Sequence, residues 1–126
     1  MYHAQGLLLP SSDFTLAAAA KKLASVFPKL KQEQTGQRLS LSSDDWEIHL
    51  TLEDGPGVLE DSVRIADHIG GSEEELGIAK CNRRVDVATD VPDPEMDHFN
   101  DYLQIIELLQ SFSGVIAVDP SEPSLL

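Results

Sequence analysis

The chain has 126 residues, and its 22 acidic side chains outnumber 9 basic ones, which gives a formal net charge of −13 with neutral histidines. This length predicts one domain over residues 1–126, and a hydrophobic content of 41% argues against disorder of the whole chain. The single cysteine excludes a disulfide framework and a thiolate-rich zinc site. Because the sequence lacks both a bilayer-length apolar run and a basic secretory N-region, we expect a soluble cytoplasmic protein.

The N-terminal third predicts a strand, a helix and a connection. Residues 3–9 end in an apolar run and predict a buried strand. Apolar residues recur at helical spacing over residues 14–27, which predicts a first helix with Ser12 or Asp13 as its N-cap. Residues 29–36 are mostly polar and are expected to form an exposed connection.

A change of period marks the next segment. Between residues 37 and 53 apolar and polar side chains alternate, apart from turn residues at positions 42–45. This alternation predicts an antiparallel hairpin with one solvent-exposed face. Trp46 shares parity with the apolar residues and is expected to face the core, whereas His49 is expected on the solvated face.

A second helix is predicted after the glycine-rich break at residues 53–57, with glycines 70–71 at its end. Its expected buried face comprises Leu59, Ser62, Val63, Ala66 and Ile69. Residues 72–75 have the spacing of a capping box and predict a further helical turn, and alternation over residues 83–90 predicts another strand.

The third helix is predicted to open at Asp93, with Pro94 and Glu95 in its first turn. Gly114 is placed to follow its C-terminal end. The apolar residues on its predicted buried face are Met96, Phe99, Leu103, Ile106, Leu109 and Phe112. Residues 115–118 are apolar on both faces and predict a central strand, and residues 119–126 predict an irregular C-terminal tail.

The element order predicts an α+β domain. It resembles a ferredoxin-like β-α-β-β-α-β core with an appended helix and strand, and we expect the helices to pack on one face of a mixed sheet. The resemblance concerns topology alone, and such folds support many unrelated functions. It therefore assigns no role to any residue.

Charge is distributed unevenly along the chain. Residues 1–38 hold five basic and two acidic side chains, whereas residues 39–126 hold four basic and twenty acidic ones. An acidic field steers cationic partners, although acidic side chains also serve solubility alone. The leading hypothesis is a protein-binding module, such as an inhibitor or immunity-type protein for a basic partner protein.

The candidate partner-binding residues fall into two groups. One surrounds the hairpin turn and the other surrounds the start of the third helix, where the helix dipole also stabilises negative charge. Trp46 is included because a Trp beside acidic residues can anchor a cationic side chain. The two groups are Asp44, Asp45, Trp46 and Glu47, and Asp90, Asp93, Glu95, Asp97 and Asp101.

An alternative function is a small-molecule or metal-dependent enzyme that uses His98 and the nearby acids. His98 and Asp101 are three residues apart on the third predicted helix. No metal-binding motif is present, so we expect no metal and no cofactor. His49 and His68 are expected to be solvated, and Cys81 to be a buried thiol unless neighbouring basic residues favour its thiolate.

Nucleic acids and membranes are disfavoured as partners. The sequence contains no phosphate-binding glycine motif, and the net negative charge disfavours nucleic-acid binding and binding to an anionic membrane. A further alternative is a self-assembling module in which an open sheet face or edge pairs with a second copy to form a homodimer.

Overall fold

The computed structural model describes residues 2–69, 77–89, 93, 95–121 and 124–126. Strands and helices follow one another as β1 (His3–Leu8), α1 (Leu16–Val26), β2 (Lys31–Thr35), β3 (Arg38–Ser42), β4 (Glu47–Glu53), α2 (Pro56–Ile69), β5 (Arg83–Thr89), α3 (Phe99–Gln110), β6 (Val115–Asp119) and β7 (Ser124–Leu125). Residues 77–79 are also helical. No helix in the described ranges is long and apolar enough to cross a membrane.

All seven strands join one sheet in the order β2-β3-β4-β5-β1-β6-β7. Every neighbouring pair is antiparallel. The strand predicted at residues 3–9 is central, since β1 pairs with β5 on one side and with β6 on the other. The predicted hairpin is also confirmed, because Leu39 of β3 lies opposite Leu50 of β4.

Helices cover both faces of this sheet. The larger core packs α1 and α3 against the face that carries Leu8, and the smaller core packs α2 against the face that carries Leu7. Consecutive residues of a strand point to opposite faces, which is why these two leucines belong to different cores. Beyond α2 the second face is polar, and it carries His49 of β4 and Asp86 of β5 among other residues.

The ferredoxin-like prediction is therefore wrong. The sheet is antiparallel rather than mixed, β5 lies between β4 and β1, and α2 lies on the face opposite α1 and α3. Element order fixes neither the neighbours of a strand nor the face that a connecting helix covers. Both are decided by apolar patches on the two faces of the assembled sheet.

Two strands form where none was predicted. Residues 31–35, expected to be a connection, form the edge strand β2 with every residue exposed, and residues 124–125 of the predicted tail pair with β6. Ladder hydrogen bonds join backbone groups, so an exposed edge strand needs no apolar side chains. Hydrophobic periodicity therefore gave no signal for β2.

The helices differ from prediction in their caps and faces. Thr15 rather than Ser12 or Asp13 caps α1, by accepting a hydrogen bond from the Ala18 N–H. In α2 the buried residues include Val58 and Ile65, whereas the predicted Leu59 and Val63 are 45% and 44% exposed. Two neighbouring faces of this helix are partly apolar, and the contact with the sheet selects one of them. The glycines predicted to end this helix and the capping-box residues 72–75 lie outside the described residues.

Gly114 was predicted to follow the third helix directly, but α3 ends at Gln110 and Gly114 lies in the connection just before β6. Its φ is +71°, a left-handed conformation that favours glycine, and a Cβ there would lie 3.1 Å from the Ser12 Cα. Ser12 and Asp13 meet this same corner, because the Ser12 hydroxyl donates to the Ser113 carbonyl and the Asp13 carboxylate accepts from the Ser113 N–H. The residues predicted to cap α1 instead tie the β1–α1 loop to the end of α3.

Candidate functional site

The two acidic segments meet around His98. The His98 Nδ1 lies 3.2 Å from an Asp101 carboxylate oxygen, and its Nε2 lies 3.4 Å from an Asp45 carboxylate oxygen. The imidazole also stacks on the Trp46 indole, with ring centroids 4.8 Å apart and planes inclined by 6°. The β3–β4 turn and the start of α3 are thus joined through one side chain.

Trp46 stacks against the core-facing side of the His98 ring. It is 2% exposed, which confirms that it faces the core, and its Nε1 is buried with no hydrogen-bond partner among the described residues. A direct contact between its ring and a partner is therefore excluded as long as His98 covers it. Its contribution is to hold the imidazole in position.

A turn before α3 positions the other carboxylates. Asp93 accepts hydrogen bonds from the backbone N–H groups of Asp97 and His98 and from the Tyr2 hydroxyl, at 3.1, 3.0 and 2.7 Å. Met96 has a φ of +59°, so the backbone cannot continue as one helix from Asp93. The predicted start of the third helix is therefore wrong by several residues, and α3 begins at Phe99.

We define the acidic surface as the described carboxylates of the two segments that His98 joins: Asp44, Asp45, Asp93, Glu95, Asp97 and Asp101. Within the described part of the chain, the ion pairs of these carboxylates involve His98, and none involves a lysine or an arginine. The Asp45 side chain is 74% exposed and that of Asp101 is 41% exposed. The surface therefore presents largely uncompensated negative charge to solvent.

Proton equilibria at this surface reflect the contacts. Burial lowers the pKa of His98, but hydrogen bonds to Asp101 and Asp45 and the charges of Asp45 and Asp93 outweigh it and raise that pKa. Hydrogen bonds from His98 and Ser43 lower the pKa of Asp45. Burial and the bond to Asp93 raise the pKa of Tyr2 to about 12, so its hydroxyl keeps the proton that it donates. The imidazolium form of His98 is the form that these carboxylates favour.

Two of the predicted partner-binding residues, Glu47 and Asp90, are not part of the acidic surface. Glu47 follows Trp46 in sequence, but it lies on the opposite face of the sheet beside His49. Asp90 lies outside the described residues. The alternation of side chains along β4 separates Glu47 from Trp46, because neighbours in a strand face opposite ways.

Of the other candidate side chains, His49 and Cys81 are buried and His68 is exposed. His49 was expected to be solvated and is instead 8% exposed, with the Ser40 hydroxyl 2.8 Å from its Nδ1. His68 is exposed as predicted. Cys81 is buried, as predicted, and burial raises its pKa to about 11, so the thiolate alternative is wrong.

A second charged cluster, which sequence analysis did not identify, lies where β5 meets α2. Arg84 donates to Glu53 and Asp61, with its nearest contact to each at 2.8 Å, and Arg64 also pairs with Asp61. Burial disfavours the charge on Arg84, but hydrogen bonds to Asp61 and Glu53 outweigh it and raise the pKa of Arg84. Glu53 and Arg84 are cross-strand neighbours, a pairing that only the sheet register creates. We refer to these four residues as the Arg84 cluster.

The metal-dependent alternative gains little from this geometry. The described ranges contain no group of three or more His, Cys, Asp or Glu side chains arranged to hold a metal ion. His98 does meet a carboxylate from another element, Asp45, so the polar convergence that an enzyme would need is present in part. Four cavities of 260 to 480 Å³ are formed by other residues, and neither Trp46 nor His98 lines any of these four.

Comparison with known proteins adds no family. The chain matches no known family model, no curated protein and no solved structure.

Proposed function

We propose that this protein is a small binding module that docks a cationic surface of a partner protein onto the acidic surface. The observation that carries the proposal is the convergence of two distant acidic segments on His98, through Asp45 and Asp101. An inhibitor or immunity-type protein that covers a cationic surface of an enzyme is one concrete form of this function. A cytoplasmic location belongs to the same proposal.

The charge of the surface suits this role. Of the 22 acidic side chains, some are compensated elsewhere by Arg84 and Arg64, whereas the acidic surface has only His98 as an ion-pair partner among the described residues. An uncompensated field of one sign accelerates encounter with an oppositely charged partner and fixes its orientation. Binding should therefore depend on the location of the acidic residues as well as on their number.

The backbone beneath the surface is held in place before a partner arrives. Asp93 ties together Tyr2 at the start of β1 and the turn at Asp97 and His98, while Trp46 supports the His98 ring. Groups that are already fixed lose less conformational entropy on binding than a mobile acidic tail would lose. This arrangement favours a docking surface over nonspecific charge.

A fluorescent octalysine peptide is a suitable probe of the surface. We compare the wild-type chain with a variant carrying Asp44→Asn, Asp45→Asn, Glu95→Gln and Asp97→Asn. Because the Debye length at physiological ionic strength is about 8 Å, nearby charges dominate the attraction. The affinity measured by fluorescence anisotropy should fall about tenfold, which corresponds to roughly 1.4 kcal/mol.

A matched control removes the same number of charges elsewhere. Asp54→Asn, Glu60→Gln, Asp67→Asn and Glu107→Gln change exposed carboxylates that form no ion pair within the described ranges. This variant should lose less than about twofold in affinity. Equal losses in the two variants would show that total charge, rather than the acidic surface, attracts the probe.

The single tryptophan gives a second measurement at the same place. Trp46 stacks on His98, so its emission should change when the peptide covers the surface. Binding without any change in Trp46 emission would locate the peptide elsewhere. Sedimentation of the free protein tests the self-association alternative under the same conditions.

A further inference from the structure

The open polar face of the sheet holds a second group of side chains whose arrangement could support catalysis. Ser40 of β3 lies opposite His49 of β4 in the sheet register, and the Ser40 Oγ is 2.8 Å from the His49 Nδ1. On the other side of the ring, the Glu47 Oε1 lies 2.8 Å from the His49 Nε2. A hydroxyl, an imidazole and a carboxylate thus follow one another in contact.

This order has a chemical consequence. A carboxylate beside Nε2 favours a proton on that nitrogen, and Nδ1 can then accept the proton of the Ser40 hydroxyl. A nucleophile within hydrogen-bond reach of a base, with a third group beside the base, is the arrangement that activates a serine. The same carboxylate stabilises the imidazolium that forms when His49 takes the proton.

The hydroxyl is also accessible to a ligand. Ser40 is half-buried and lines an open cavity of about 440 Å³ together with Glu47, Glu33 and Lys31. His49 is 8% exposed, so the base is shielded while the hydroxyl is not. Lys31 is the cationic residue of the cavity lining and can offset negative charge that develops on a reacting oxygen.

We infer that Ser40 is a base-activated nucleophile for small, polar carboxylic esters, with His49 as its general base and Glu47 as a positioning residue. The Ser40 Oγ forms a bond to the ester carbonyl carbon as its proton moves to His49 Nδ1. The alkoxide of the ester then leaves with that proton, and an acyl group remains on Ser40. A water molecule, deprotonated by His49, cleaves the acyl bond and restores the hydroxyl as the carboxylic acid departs.

A fluorophosphonate probe tests the nucleophile directly. Attack by Ser40 forms an oxygen–phosphorus bond, expels fluoride and transfers the serine proton to His49. Mass spectrometry of the intact wild-type chain should show one adduct, which peptide mapping places on Ser40. Absence of an adduct, or an adduct on another residue only, would overturn the inference without requiring any variant to fold.

Variants distinguish activation of Ser40 by a base from mere accessibility of its hydroxyl. Ser40→Ala should abolish labelling, and His49→Gln should slow it by about 100-fold or more, the usual contribution of a general base. Thr51→Val is the matched control. It removes a hydroxyl from the same face of the sheet, and that hydroxyl accepts a hydrogen bond from Arg38 rather than contacting a histidine. Labelling that is as fast in His49→Gln as in the wild type contradicts base activation.

Glu47 acts through His49, so its test is rescue by a conservative variant. Glu47→Gln should slow the labelling of Ser40 by about tenfold, because it removes the charge that stabilises the imidazolium, whereas Glu47→Asp keeps a carboxylate and should restore most of the rate. In the His49→Gln background, Glu47→Gln should have no further effect, since the carboxylate acts through the imidazole. Equal labelling rates in the wild type and Glu47→Gln would remove Glu47 from the mechanism.

Discussion

The acidic surface and the Arg84 cluster contain the same kinds of acidic side chain but compensate them differently. Glu53 and Asp61 bond to an arginine that is charged at every accessible pH, whereas Asp45 and Asp101 contact a histidine, whose pKa they raise and whose charge can be lost as the pH rises. The Arg84 cluster is consequently a permanent tie between β5 and α2. The acidic surface has a charge that depends on pH, and its carboxylates largely face solvent.

The largest effect is expected at the Arg84 cluster. Arg84→Met leaves the half-buried Glu53 and Asp61 without their shared cation. We expect the free energy of unfolding to fall by about 2 kcal/mol, which is less than the roughly 3 to 5 kcal/mol lost when a fully buried ion pair is broken. Urea unfolding measures the loss. Arg64→Met is the control, because the Arg64 side chain is 76% exposed and its pair with Asp61 should contribute less than about 0.5 kcal/mol. Equal effects of the two substitutions would contradict the central role of Arg84.

A pH-dependent effect of intermediate size is expected at His98. Its pKa in the folded chain is raised above the unfolded value of about 6.5, so its charge stabilises the fold below that pH. This contribution disappears as the pH rises through the folded pKa. His98→Gln should therefore destabilise the protein more at pH 5.5 than at pH 9, as measured by urea unfolding of both chains at each pH.

Arg84→Met provides the comparison for this pH dependence. Its effect should be nearly the same at the two pH values, since arginine remains charged at both. A His98→Gln effect that is equally constant would mean that the Trp46 stack, rather than the imidazolium charge, accounts for the contribution of His98.

The smallest effect concerns the backbone of the acidic surface. Met96 has a φ of +59° and a side chain that is 56% exposed, so Met96→Gly removes left-handed strain with little loss of packing. The greater freedom of glycine in the unfolded chain offsets part of this gain. We expect a net stabilisation of about 0.5 kcal/mol in urea unfolding.

Gly36 offers the reverse substitution at the same backbone angle. Its φ is also +59°, and no heavy atom lies within 4 Å of a Cβ built there. Gly36→Ala should therefore introduce strain alone and destabilise the protein by about 1 kcal/mol. Destabilisation by Met96→Gly would show that Met96 contributes packing to the acidic surface.

Much of the secondary structure followed from the sequence by itself. Alternation defined β3 and β4, an apolar run marked β1 as a buried strand, and two-sided apolarity marked β6 as a central strand. These features are local, because side-chain periodicity acts over a few neighbouring residues. For the same reason, the parity of Trp46 was sufficient to predict that it faces the core.

Only the tertiary structure decided which elements are neighbours and which charges meet. The antiparallel strand order, the position of α2 on the second face and the meeting of Asp45 with His98 all depend on contacts between distant residues. Periodicity shows that an element has an apolar face, but not which surface that face will cover. Acidic residues in sequence therefore predicted negative charge, whereas the assembled sheet determined where it is compensated and where it faces solvent.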